Sequence, residues 1–245
     1  GRPNNTVGVA CPVSTPLTYR PDYIWSYEIG SKTNLLGGRL HVDGSVFYMA
    51  WWDMQMPIPL TNCGFSFTVN AGAATSKGFD LGLQAAVSEH FKLALTAAYT
   101  DAHYDETVTL NNQIVVSRGD AVGALPLVVA PWSVTSSAVY EMTLRDVLVT
   151  LSAQDTYDSR NPGPFSSDNP IAVTYAPSRR ANPPTNLLNL RGIAAWSNFE
   201  LSVFINNALD SLPTLQVRNY ISTSSLLYGT TFRPRTVGLA CKMRF

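Results

Sequence analysis

Apolar and polar residues alternate with a period of two along most of this chain. Over residues 91–100, Phe91, Leu93, Leu95, Ala97 and Tyr99 occupy one parity, and Lys92, Ala94, Thr96, Ala98 and Thr100 the other. Successive side chains of an extended strand point to opposite faces, so this pattern predicts a strand lying between two unlike environments. Residues 79–87 and 237–245 repeat it. In all, the pattern predicts nine strands, over 23–33, 39–52, 72–87, 91–103, 132–141, 146–157, 186–196, 199–207 and 234–245. Most reach the roughly 9–11 residues that a tilted strand needs to cross a bilayer.

The connections alternate in length. Residues 34–38, 88–90, 142–145 and 197–198 form short turns, whereas 53–71, 104–131, 158–185 and 208–233 form long segments rich in Pro, Asn, Ser, Gly and Arg. Short turns at one end of the strands and long loops at the other are the pattern of an outer-membrane barrel; a soluble sandwich scatters its loop lengths. Aromatic residues agree. Tyr23, Trp25, Tyr27, Tyr48, Trp52, Tyr99, Trp132, Tyr140, Tyr157 and Trp196 fall on the apolar parity, most of them towards strand ends. Rings with a wet N–H or O–H collect there at a membrane interface. The opposite parity carries Glu28, Lys32, Arg39, His41, Asp43, Asp80, Gln84, Lys92, Gln154, Asn189, Arg191, Glu200, Asn206, Lys242 and Arg244. Asp155 breaks the parity, either because it sits near the loop end of its strand or because a bulge shifts the register there.

Composition sharpens the picture. Only 14% of the 245 residues are charged, 17 basic against 17 acidic, although the apolar share is an ordinary 45%. A soluble domain averages about 25% charged residues, so this surface meets something other than water. A neutral chain with no basic stripe excludes nucleic acid as a partner. Three cysteines are too few for a disulfide scaffold, and the charge-free run over 121–140 holds Pro126 and Pro131, against a spanning helix. The expected fold class is therefore all-β, an antiparallel transmembrane barrel with short periplasmic turns and long extracellular loops. Nine is odd, whereas single-chain bacterial barrels use even numbers. The expectation is a fragment, with residues 1–245 as the carboxy-terminal portion of a larger barrel domain and no plug domain.

A series of short stretches resembles one family. "YRPDYIWSYEIGSK" (19–32), "GGRLHVDGSVFYMAWWDMQ" (37–55), "NAGAATSKGFDLGL" (70–83), "AAYTDAHY" (97–104), the Pro126…Pro131-Trp132 spacing, "LSVFINNALD" (201–210) and "FRPRTVGLACKMRF" (232–245) follow, in order, segments of the carboxy-terminal half of TonB-dependent outer-membrane receptors. The resemblance implies a barrel of about 22 strands with a plugged lumen. It also implies uptake of a scarce nutrient, foremost a ferric siderophore, driven through TonB by way of the missing plug. A passive porin or a small complete barrel is the alternative, and an enzyme ranks below both. The implied partners are outer-membrane lipid, lipopolysaccharide, the barrel-assembly machinery and a small-molecule ligand; no cofactor is implied.

Individual residues suggest roles. Trp51 and Phe47 point to the polar side by parity and are candidates for lining a ligand chamber or packing against plug or loops. Arg160, Arg179 and Arg180, with Arg218, Arg233 and Arg235, lie in or beside outer loops, where guanidinium forks suit an anionic ligand or lipopolysaccharide phosphates; a solvated loop face is the equal alternative. Cys11 and Cys63 fall in outer loops, an oxidising setting, and are a candidate disulfide. His41, His90 and His103 lack a second ligand at metal spacing. His103 with Asp101 and Asp105 is the one local arrangement an enzyme would use, and a solvated rim explains it better. Val237, Leu239, Cys241, Met243 and Phe245 resemble the terminal signal read by the assembly machinery. Phe245→Ala is expected to lower the yield of folded protein in the outer membrane; pulse-labelling followed by membrane fractionation measures it, and an unchanged yield contradicts the assignment.

Overall fold

β-Branched and aromatic residues at every second position suit a pleated ribbon with two unlike faces. In the computed structural model, which describes residues 17–60, 65–70, 72–110, 112–122, 130–160, 183–219 and 226–244, the chain forms fifteen strands. Nine make the wall: β1 (Tyr23–Leu35), β2 (Leu40–Trp52), β5 (Ala74–Ala86), β6 (Phe91–Tyr104), β9 (Trp132–Leu144), β10 (Val147–Asp158), β11 (Thr185–Trp196), β12 (Phe199–Asn206) and β15 (Thr236–Met243). They form a single antiparallel sheet in that order. Six short strands pair as hairpins within the long connections: β3 (Gln55–Leu60) with β4 (Phe65–Asn70), β7 (Val108–Leu110) with β8 (Gln113–Val116), and β13 (Gln216–Asn219) with β14 (Leu227–Thr230).

The nine wall strands are those the alternation predicts, with ends that shift by at most three residues. The turn expected over 142–145 lies at Arg145-Asp146, because β9 runs on to Leu144 and pairs it with Val147. Arg145 takes a positive φ of 57°, as a two-residue hairpin turn requires; Ser197, at the next such turn, has φ 48°. The last strand starts at Thr236, two residues beyond Pro234, which has no N–H for a ladder. The bulge considered at Asp155 is absent: Asp155 pairs Ser136 on one side and Leu188 on the other in unbroken register. It faces the apolar side three residues from the end of β10, where a carboxylate remains near the headgroups.

Directly opposed residues share a face, so the register sorts the whole wall. One side carries the expected polar set, including Lys32 opposite Asp43, His41 opposite Gln84, Gln154 opposite Asn189 and Glu200 opposite Lys242. Lys92 bonds Glu141 at 3.0 Å, and the Arg191 guanidinium lies 5.9 Å from the centroid of the Phe204 ring. The other side is apolar and open. Ile29 is 74% exposed and Leu239 67%, a display of hydrocarbon that suits a membrane. Aromatic clusters bound this band. Tyr99 and Trp132 pack in a tilted pair at 4.8 Å, with Phe79 at 5.7 Å from Trp132, at the long-loop end. Phe91 with Tyr140, and Trp196 with Phe199, lie at the short-turn end. The eight-residue rise from Phe91 to Tyr99 within β6 is about 27 Å along an extended strand, the scale of a lipid-facing band before tilt.

The buried apolar cluster of the described residues lies outside the wall, in the long connections. Met54 and Phe67 of the first hairpin region pack with Val115 and Val116 of β8, over Ala74 and Tyr104 at the wall's upper edge. Ala74 and Tyr104 oppose each other on the polar side, so the two hairpins fold in over that side. A polar clamp fixes the first of them. Asn70 accepts from the Arg20 N–H at 2.8 Å through Oδ1 and donates through Nδ2 to the carbonyls of Arg20 (3.0 Å) and Asp53 (2.7 Å). The Arg20 guanidinium also pairs with the Asp53 carboxylate. A second clamp holds the base of the last loop. Asn207, 2% exposed with φ 52°, donates to the Ser211 and Arg233 carbonyls and accepts from Ser211 N–H, each at 2.9 Å.

On the polar side of β5, Gly78 faces Phe47 and Thr100. A Cβ there would overlap the Tyr99 carbonyl and come within 2.8 Å of the Phe47 ring. Gly78→Ala is expected to cost about 1–3 kcal/mol, the range for overpacking a filled site, measured by urea unfolding of the protein in lipid vesicles; no change in midpoint contradicts this account. Asn70→Ala is expected to leave the barrel folded but speed proteolytic cleavage within the 53–70 segment several-fold. An unchanged cleavage rate means that the clamp does not hold the hairpin.

Candidate functional site

The inward fold of the loop hairpins creates a cavity where the polar face meets the long-loop end. It encloses about 700 Å³. Besides Thr75, Tyr99, Asp101 and His103 of the other parity, it is lined by Ile24, Met49, Trp51, Ala74, Ser76, Thr100 and Ala102 from the polar-side parity of β1, β2, β5 and β6, and by Gly119, Asp120, Ala121, Val122 and Pro131 from the connection above β6. Alternation brings these strand residues to one patch: Ile24 opposes Trp51, Trp51 opposes Ala74, and Met49 opposes Ser76, which opposes Ala102. Backbone bonds hold the roof, with Gly119 N–H donating to the Tyr104 carbonyl at 2.8 Å, Tyr104 N–H to the Asp120 carbonyl at 2.9 Å, and Val122 N–H to the Ala102 carbonyl at 2.9 Å.

Of the sequence candidates, the structure places Trp51 in this cavity, with Asp101 and His103 also along its lining. The Trp51 indole N–H donates to the Asp22 carboxylate at 2.9 Å, and Asp22 accepts from Gln55 at 3.1 Å through its other oxygen. The indole that lines the cavity is thereby held with its N–H satisfied. Phe47 lies two pleat repeats deeper on the same face, over Gly78. Asp22, Met49, Ser76, Thr100 and Val122 were not singled out from the sequence. Parity alone marks Met49, Ser76 and Thr100 as neighbours of Trp51, but only the folded loop shows that Asp22 and Val122 join them.

The remaining candidates are elsewhere. Arg160 is exposed just beyond β10 and does not line the cavity. Arg179, Arg180, Cys11, Cys63 and Phe245 lie outside the described residues. Cys241 is exposed on the apolar face with Val237, Leu239 and Met243. His103 does meet both of its carboxylates, Nδ1 at 3.4 Å from Asp101 and Nε2 at 3.6 Å from Asp105. Lys77 approaches Asp101 at 3.6 Å, and Thr75 donates its hydroxyl to Asp105 at 2.8 Å rather than to the imidazole. Both ring nitrogens thus face carboxylates, and the group sits on the apolar-side parity just above Phe79 and Tyr99. That is a polar collar at headgroup level, not a nucleophile–base pair. Among the described residues no group of three or more His, Cys, Asp or Glu side chains is placed to hold a metal ion.

The comparisons with known proteins agree with this architecture. The family model described as "TonB dependent receptor-like, beta-barrel" matches residues 4–208. The ferric yersiniabactin uptake receptor of Yersinia pestis superposes with a TM-score of 0.64 at 15% identity, over 91% of this chain and 30% of the receptor. A siderophore receptor of Acinetobacter baumannii gives 0.61 at 18%, over 90% and 28%, and a copper transporter gives 0.62 at 14%, over 93% and 32%. The chain therefore spans about a third or less of the length of these structures. No curated sequence matches it. With nine wall strands in one open antiparallel sheet and a family match over most of its length, the chain belongs to the β-barrel family of TonB-dependent receptors, proteins of the bacterial outer membrane, and forms part of such a barrel.

Proposed function

We propose that the chain is the carboxy-terminal part of the wall of a receptor that imports a scarce nutrient, foremost a ferric siderophore, with energy delivered through TonB by way of a plug domain. The roofed cavity beside Trp51 carries this reading. It opens at the end of the long loops, on the side that becomes the lumen, where a ligand arriving from outside is first held. The siderophore receptors among the structural neighbours support the substrate class, and the copper transporter keeps other metal cargoes in view.

β1 and β15 are not paired with each other and lie at the two edges of the sheet. Unpaired ladder groups cannot face hydrocarbon, so both edges call for further strands. This favours part of a larger barrel over the small complete barrel expected as an alternative, since among the described residues the nine strands do not close on themselves. In this reading the apolar face and its ring clusters contact lipid, and the Lys77, Asp101 and His103 collar meets lipopolysaccharide. Arg160, Arg179 and Arg180 attract anions at the rim, Cys11 and Cys63 tie outer loops together, and the residues of β15, with Phe245, engage the assembly machinery. No step of the proposed role is catalytic.

Deletion of the gene in the source bacterium is expected to abolish uptake of at least one ⁵⁵Fe-labelled siderophore complex under iron limitation, with restoration by the intact gene only when TonB is present. Unchanged uptake of every complex tested, or restored uptake in a strain lacking TonB, overturns the proposal.

A further inference from the structure

The cavity has a definite chemical character. Its strand-borne lining is Ile24, Met49, Trp51 and Tyr99 with the hydroxyls of Thr75, Ser76 and Thr100, and Val122 and Pro131 close it from above. Asp101, His103 and Asp120 also line it, but Asp101 is engaged by Lys77 and His103, His103 also by Asp105, and Asp120 accepts from the Ser117 N–H. No Lys or Arg lines it among the described residues. Lys77 belongs to the opposite face of β5 and leans on Asp101, and Arg20 is paired with Asp53. A multiply anionic ligand would therefore enter without a counter-charge, at a desolvation cost that these hydroxyls do not offset. A flat, uncharged ring fits instead. Trp51 lines the cavity and is held by its bond to Asp22, so it can pack against a flat ring at little entropic cost. The Met49 thioether is a soft contact for a ring edge, and Ser76 and Thr100 supply hydroxyls for ring oxygens.

We infer that this cavity binds an uncharged aromatic portion of the ligand, selecting neutral, flat-ringed metal chelates over anionic ones; the inference rests on the proposed uptake role. Charge and ring are separable with three iron(III) complexes. The tris(maltolate) complex is neutral with planar conjugated rings, the tris(acetohydroxamate) complex is neutral without rings, and the Tiron complex has aromatic rings and strong negative charge. Calorimetry on the native full-length protein in detergent is expected to show the maltolate complex binding at least tenfold more tightly than either of the others. Trp51→Ala should weaken it tenfold or more and Trp51→Phe less than threefold, with folding of each variant checked by its heat-modifiable migration on gels. Ser76→Lys should reverse the order of the maltolate and Tiron complexes.

Tighter or equal binding of the Tiron or acetohydroxamate complex, or maltolate affinity indifferent to Trp51→Ala in folded protein, overturns the inference and leaves the uptake role standing. Binding of none of the three also overturns it, while the growth-linked uptake assay decides the role separately.

Discussion

A peptide group in hydrocarbon has no water to bond, so every N–H and C=O of a spanning segment must find a partner in the protein. That constraint shapes the wall. The ladders between β1 and β2 and between β2 and β5 run without a register shift over nearly the full strand length. Two of the turns at the short end shrink to two residues, with Arg145 and Ser197 held at positive φ so that pairing continues to the last residue of the strand. Unbroken pairing in turn fixes facing. One slipped residue would exchange the sides and carry Lys32, Asp80 and Arg191 into lipid.

Beyond the membrane that constraint lapses, and a different one builds the site. The long connections sit in water, where apolar burial drives packing. Met54, Phe67, Val115 and Val116 collect into a core that the wall itself lacks. The core stands on Ala74 and Tyr104, so the hairpins fold over the lumen side, and the cavity forms where this folded cap meets the strand tops. The site thus arises at the junction of two regions organised by different solvents.

This division explains what was legible from the sequence. Alternation reports facing, and facing was enough to locate all nine wall strands, the polar side and the inward aim of Trp51. The hairpins gave no such report. β3 carries Pro57 and Pro59, which interrupt a strand pattern and are tolerated only because the hairpin has free edges. β7 and β8 span three and four residues, too short for a period to register. The partners of Trp51 and Asn70 lie 29 and 50 residues away in the chain, and no local spacing encodes such contacts. Lys77, Asp101 and His103 sit on the apolar parity yet above the ring clusters, where the alternation rule stops carrying an energetic penalty.

The separation between the ring clusters and the capping core has a bearing on how the membrane itself acts on the protein. The distance between Tyr99 and Phe91 on β6 sets a hydrophobic thickness for the wall, and a bilayer that departs from it is accommodated by a change in strand tilt. Met54, Phe67 and Val115 take no part in that match. Thinning the bilayer therefore tilts β2, β5 and β6, and the roof, bonded to β6 through Tyr104 and Ala102, travels with them. Lipid thickness then becomes a control on the angle at which the whole cavity meets the outside, one that acts with no ligand and no change in sequence.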